Sequence, residues 1–167
     1  SQAGSLLSDT VSPAVVTSSR DALDLVRGGL VTWFRSLSDL IQESLPEQKS
    51  RGSDSVRIDD RVRELPTWDL VKQQLNDVYV NANTALAQIR DLNGKLESAV
   101  DAGTIASSPW ISDIGVCIQE VHDLFVFLSE LVSHPQKDVV YWVTLGAAGE
   151  GVTVLESAPL EVSGLLQ

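Results

Sequence analysis

The chain has 167 residues, a formal net charge of -11, 43% hydrophobic residues and 21% charged ones. That length supports one core of useful size, and that balance excludes wholesale disorder. Twelve Lys and Arg against 23 Asp and Glu disfavour a free-standing grip on nucleic acid, because cations that neutralise phosphate supply most of such affinity.

Residues 1–17 hold no sustained period, and Pro13 with several serines predicts an irregular lead-in. Ser18-Ser19-Arg20-Asp21 reads as a helix start, with serine to cap a backbone N–H and acids at the positive helix end. The apolar positions Leu23, Val26, Leu30, Trp33, Leu37 and Leu40 then fall in three-four steps, which keeps one stripe on one helical face. Gly28-Gly29 predicts a bend within this helix, and Pro46 predicts its end. Residues 46–56 are polar and serine-rich and read as a loop. A short helix from about Ile58 to Leu65 follows, stopped by Pro66.

Pro66 also suits the opening turn of the next helix. Its stripe is the strongest periodic signal in the chain: Trp68, Val71, Leu75, Val78, Ala82, Ala85, Ile89, Leu92, Leu96 and Ala99, all apolar. Four heptads predict a helix roughly 50 Å long, docked lengthwise on a partner. Gly103 suits its C-terminal cap, and Ser108-Pro109 restarts a helix. The second stripe runs Ile111, Ile114, Ile118, Val121, Phe125, Leu128 and Val132, and His134-Pro135 closes it. Two such helices joined by a short connection should fold back antiparallel, with the first helix completing a bundle. Beyond Pro135 the residues become β-branched and aromatic. Val139–Leu145 and Val152–Leu155 flank the glycine-rich run 146–151 and predict a β-hairpin. The tail ends on Leu165-Leu166-Gln167, an apolar end expected of an element whose cover lies elsewhere.

Residues suited to catalysis are sparse. The sequence holds no phosphate-binding loop with Lys and Ser/Thr, no acidic box of a nucleotide hydrolase and no Gly-x-Ser-x-Gly elbow. The run Gly146–Gly151 has no Lys and no helix after it, and reads as a turn. His122 and His134 lack the spacing of zinc ligands, and His122 reads as packing beside the apolar stripe. Cys117, the one cysteine, excludes an internal disulfide framework or a cysteine-built metal site and reads as a small core residue. Asp59-Asp60 reads as a solvated helix start. Five of the twelve basic residues, Lys49, Arg51, Arg57, Arg61 and Arg63, fall between positions 49 and 63, opposed only by Asp54, Asp59 and Asp60. The plain reading is a solvated loop and helix face. The functional one is a strip that touches a DNA backbone.

The stretch Asp138-Val139-Val140-Tyr141-Trp142-Val143, the glycine-rich gap and Val152-Thr153-Val154-Leu155-Glu156-Ser157-Ala158-Pro159-Leu160-Glu161-Val162 resembles the DinG branch of superfamily 2 helicases, relatives of XPD. Arg63-Glu64-Leu65-Pro66-Thr67-Trp68 and the long helix after it resemble the helical insertion of bacterial members. That insertion, the arch, stands above the first motor domain and helps to frame the passage for single-stranded DNA. The resemblance implies a parent protein that is an ATP-dependent 5′-to-3′ DNA helicase of DNA repair, an ATP hydrolase that binds ATP and magnesium elsewhere. Some relatives carry an iron–sulfur cluster or an exonuclease domain. None of the parent's catalytic motifs falls on a residue of this chain.

The expected architecture is mainly α: an antiparallel bundle of three long helices and one short one, with a small C-terminal β-hairpin. Residues 1–137 would form the arch-like insertion and residues 138–167 the hairpin and tail leading back to the motor. The expected core is the three stripes with Tyr141 and Trp142. The expected role is non-catalytic, guiding or separating DNA strands, with no cofactor or metal of its own. Its expected partners are the motor domains of the parent chain and single-stranded DNA in the intact protein. The competing expectation is a helical docking module for another protein, its acidic surface selecting a basic partner. The chain begins at Ser1 and contains no Met, as expected of a piece of a longer protein. No apolar run approaches the roughly 18–20 residues that span a bilayer, and no export signal is evident, so a cytoplasmic setting is expected.

Overall fold

The computed structural model describes residues 12–48, 55–145 and 152–160. In chain order the elements are α1 (Pro13–Gln48), β1 (Ser55–Arg57), α2 (Asp60–Arg63), α3 (Trp68–Asp101), α4 (Pro109–Val132), β2 (Val139–Leu145) and β3 (Val152–Pro159). The fold is mainly helical, with three long helices, one short one and a small antiparallel sheet, as the periodicity predicts.

Two boundaries differ from the sequence reading. Helix α1 begins at Pro13, ahead of Ser18, because the fixed φ of proline suits a first turn. The Ser12 carbonyl accepts from Val15 N–H at 2.9 Å and Val16 N–H at 3.4 Å, which closes that turn. The same helix is unbroken through Gly28-Gly29 and continues past Pro46 to Gln48. A proline in the last turn forgoes one N–H bond without undoing the turns before it. Helix α3 opens at Trp68, after Pro66, with the Leu65 carbonyl accepting from Trp68 N–H at 2.9 Å.

The other helix ends follow local chemistry. Asp59 is the N-cap of α2, its side chain accepting from Val62 N–H at 3.2 Å. At the end of α3, Gly103 takes φ 69, while Gly103 N–H donates to Val100 O and Thr104 N–H to Ala99 O, each at 2.9 Å. That paired arrangement satisfies the last carbonyls and requires a left-handed residue, which only glycine adopts without strain. Helix α4 starts at Pro109 behind Ser108 and stops before His134-Pro135.

The chain forms two compact units, one of residues up to Gly28 with Asp77–Val126, the other of Gly29–Asn76 with residues from Phe127 onward. In the first unit the buried apolar side chains among the described residues are Val26 of α1, Val78, Ala82, Ala85, Leu86, Leu96 and Ala99 of α3, and Ile111 and Phe125 of α4. Phe125 meets Tyr79 edge-on, ring centroids 5.9 Å apart. Several parts of the expected core are less covered, and Leu30, Ile89 and Leu92 of the predicted stripes are half-buried. Leu23 is 47% exposed, Ile114, Ile118 and Val121 are half-buried, and Cys117, expected inside, is exposed.

The second unit carries the tighter core. Trp33, Leu37, Leu40 and Ile41 of α1 are buried with Trp68, Val71 and Leu75 of α3 and Leu128, Leu131 and Val132 of α4. Each such side chain removed from water contributes about 1.5–3 kcal/mol before entropy is counted. Both buried indoles keep their N–H satisfied: Trp33 Nε1 donates to Val71 O at 3.0 Å and Trp68 Nε1 to Val132 O at 3.3 Å. These bonds fix the orientation of the two largest side chains in this core.

The sheet lies in this second unit, in the order β1-β2-β3. The predicted hairpin β2–β3 is present, with Val139 opposite Pro159 and Val143 opposite Leu155. A third strand joins it. Ser55–Arg57, with its first two residues expected in a loop, pairs antiparallel with Thr144–Trp142, and Ser55 Oγ lies 2.6 Å from Thr144 Oγ1. The alternation of the strands buries Val56, Tyr141 and Val143 on one face, and Val140 on the other phase of β2 is buried as well. Trp142, expected in the core, is half-buried. The run 146–151, read as a turn, lies outside the described residues.

Candidate nucleic-acid interface

The basic strip read from the sequence divides in the structure. Lys49 and Arg51 lie outside the described residues. Arg57 ends β1 and Arg61 sits in α2, and both are exposed. The strand explains Arg57: Val56 faces inward, so its neighbour faces water. In α2 the inward residue is Val62, which turns Arg61 outward on the adjacent phase.

Arg63 has an internal task. Its Nη1 donates to Ile58 O at 2.9 Å and its Nη2 to Leu131 O at 3.1 Å, and its guanidinium lies 5.9 Å from the Tyr141 ring centroid. Leu131 and Val132 close α4, where carbonyls lack intrahelical partners. Arg63 and the indole of Trp68 satisfy these two, and the cation also meets the negative end of the helix dipole. Burial lowers the Arg63 guanidinium from its ordinary range, with Asp60, Tyr141 and Asp59 opposing the shift. The planar fork is what lets one side chain of α2 tie Ile58, just after β1, to α4 and β2. Sequence reasoning grouped Arg63 with the exposed cations because charge spacing carries no sign of which guanidinium turns inward.

Of the five residues of the strip, Arg57 and Arg61 are therefore the exposed ones among the described residues, near a sheet whose β2 and β3 are formed by residues 139–145 and 152–159. Exposed Asp60 stands beside it, while the Asp59 carboxylate is engaged in capping α2. Such a face can touch phosphates without gripping them: two cations release few counterions, and their affinity would fall steeply with salt. Phosphate contacts of this kind position a strand and read no sequence.

Other chemistry is thin on the described surface. His122 and His134 are exposed, so His122 does not serve the packing role expected of it. Among the described residues no group of three or more His, Cys, Asp or Glu side chains is placed to hold a metal ion. No helix among them is long and apolar enough to cross a membrane. Comparison with protein-family models, with curated proteins and with solved structures finds no match to this chain.

Proposed function

We propose that this chain is the non-catalytic arch insertion of an ATP-dependent 5′-to-3′ DNA helicase of the DinG branch, helping to guide or separate DNA strands for a motor that binds ATP and magnesium elsewhere. The observation that carries the reading is the C-terminal sheet. The stretches that resemble this branch form β2 and β3, and Arg63-Glu64-Leu65-Pro66-Thr67-Trp68 forms the joint that ties the sheet to α3 and α4.

The charge distribution fits that role. A net charge of -11 discourages strands from adhering to the arm, while Arg57 and Arg61 offer a local contact for a passing backbone. In the full-length protein, the exchange R57E with R61E is expected to slow displacement of a duplex bearing a 5′ single-stranded tail several-fold. ATP hydrolysis stimulated by single-stranded DNA should be retained. A full-length protein that hydrolyses no ATP in the presence of single-stranded DNA overturns the reading, as does one whose strand displacement is untouched by the double exchange.

A further inference from the structure

The first unit leaves part of its apolar seam uncovered. On α4, Ile111 and Phe125 are buried while Ile114, Ile118 and Val121, on the same helical side, are only half-buried. Leu23 of α1 and Trp110 of α4, 47% and 45% exposed, border a groove of about 330 Å³ with Ala82, Leu86 and Ile89 of α3 also lining it. An alanine at the middle of the α3 stripe supplies little bulk, so the groove stays open over it.

The exposed edge of α4 continues the heptad. Trp110, Cys117 and Leu124 recur every seven residues and all three are exposed. A solvated helix face carries polar residues at such positions, whereas a repeating apolar edge beside a groove is the seam left by a missing helix. The charges beside the seam are ordered. Asp113 lines the groove, Glu120 follows it at seven residues, and α4 contains no Lys or Arg along its length. On α1, Arg20 and Arg27 sit three before and four after Leu23, on its side of the helix, with Asp24 four after the first and three before the second. The α4 edge of the groove is thus acidic, and the α1 edge carries two cations against one acid.

We propose that this groove is a docking site for one amphipathic α-helix of another protein, seated as a fourth helix. Its apolar seam enters the groove, its Lys and Arg flank faces Asp113 and Glu120, and its acidic flank faces Arg20 and Arg27. A second copy is disfavoured because two chains of net charge -11 repel, and a partner of net positive charge is drawn in. This site does not depend on the helicase reading.

The test uses the full chain and three fluorescein-labelled 18-residue helical peptides with the same leucine seam. One carries Lys on one flank and Glu on the other, one Lys on both, one Glu on both. The mixed peptide is expected to bind at least tenfold more tightly than either of the others by fluorescence anisotropy. In the D113K/E120K protein, whose exchanged residues are exposed, the double-Glu peptide should become the tightest. Cys117, the one thiol in the chain, lines the groove, so the mixed peptide should slow its alkylation by iodoacetamide at least fivefold. Equal affinity for the three peptides, or unchanged alkylation of Cys117 at saturating mixed peptide, overturns the proposal. So does a dimer in sedimentation whose Cys117 is protected without peptide, since a second copy would then fill the groove.

Discussion

Arg63→Met separates an internal fastener from a DNA contact. Methionine keeps the apolar stem and removes the two donated bonds, to Ile58 O at 2.9 Å and Leu131 O at 3.1 Å, together with the cation over the Tyr141 ring. A hydrogen bond from a charged donor contributes about 1.5–3 kcal/mol net, the low end applying to a half-buried side chain, and a partly exposed cation over a ring about 0.5–1 kcal/mol. The expected loss is about 4 kcal/mol, or a fall in Tm of roughly 8–16 °C for a chain of this size unfolding in one step. Urea unfolding followed by tryptophan fluorescence reads it directly, because Trp33, Trp68 and Trp142 share the unit that contains Arg63. Lysine should restore little, as one ammonium cannot span both carbonyls with the geometry of a fork. Exposed Arg57 and Arg61, changed to Met in the same way, should each alter stability by less than about 0.5 kcal/mol. A loss below 1 kcal/mol for Arg63→Met, or full rescue by lysine, would refute the account of how α4 is closed.

Gly103→Ala should cost about 1 kcal/mol in the same unfolding assay. A Cβ there meets nothing within 4 Å, so the penalty comes from φ +69 alone, and an unchanged midpoint would contradict that assignment. Ala82 and Ala85 are both buried, yet only Ala82 lines the groove. Ala82→Leu should therefore be tolerated within about 1 kcal/mol while blocking the mixed peptide, whereas Ala85→Leu should cost about 1–3 kcal/mol through overpacking. Equal penalties for the two substitutions would show that the groove has no room to give.

The long helices and most of their inward faces are legible from residue order because helical spacing is local. On α3, Trp68, Val71, Leu75, Val78, Ala82, Ala85, Leu96 and Ala99 are buried as their three-four steps predict. The caps at Gly103 and Ser108-Pro109 are equally local, since each serves backbone groups within a turn of itself. What the stripes cannot express is how completely they are covered: Ile111 and Ile118 obey one period, but only the first is buried, because coverage depends on which neighbouring helix is present. Strand β1 is three residues long, and its identity comes from pairing with Thr144–Trp142, far along the chain. Arg63 carries the same charge as its neighbours Arg57 and Arg61, and differs because folding brings Leu131 O within its reach. Sequence alone determined the periodic helices and the strand-forming composition of residues 139–145. Tertiary structure decided the third strand, the inward arginine and the open groove, because each depends on atoms that only folding makes neighbours.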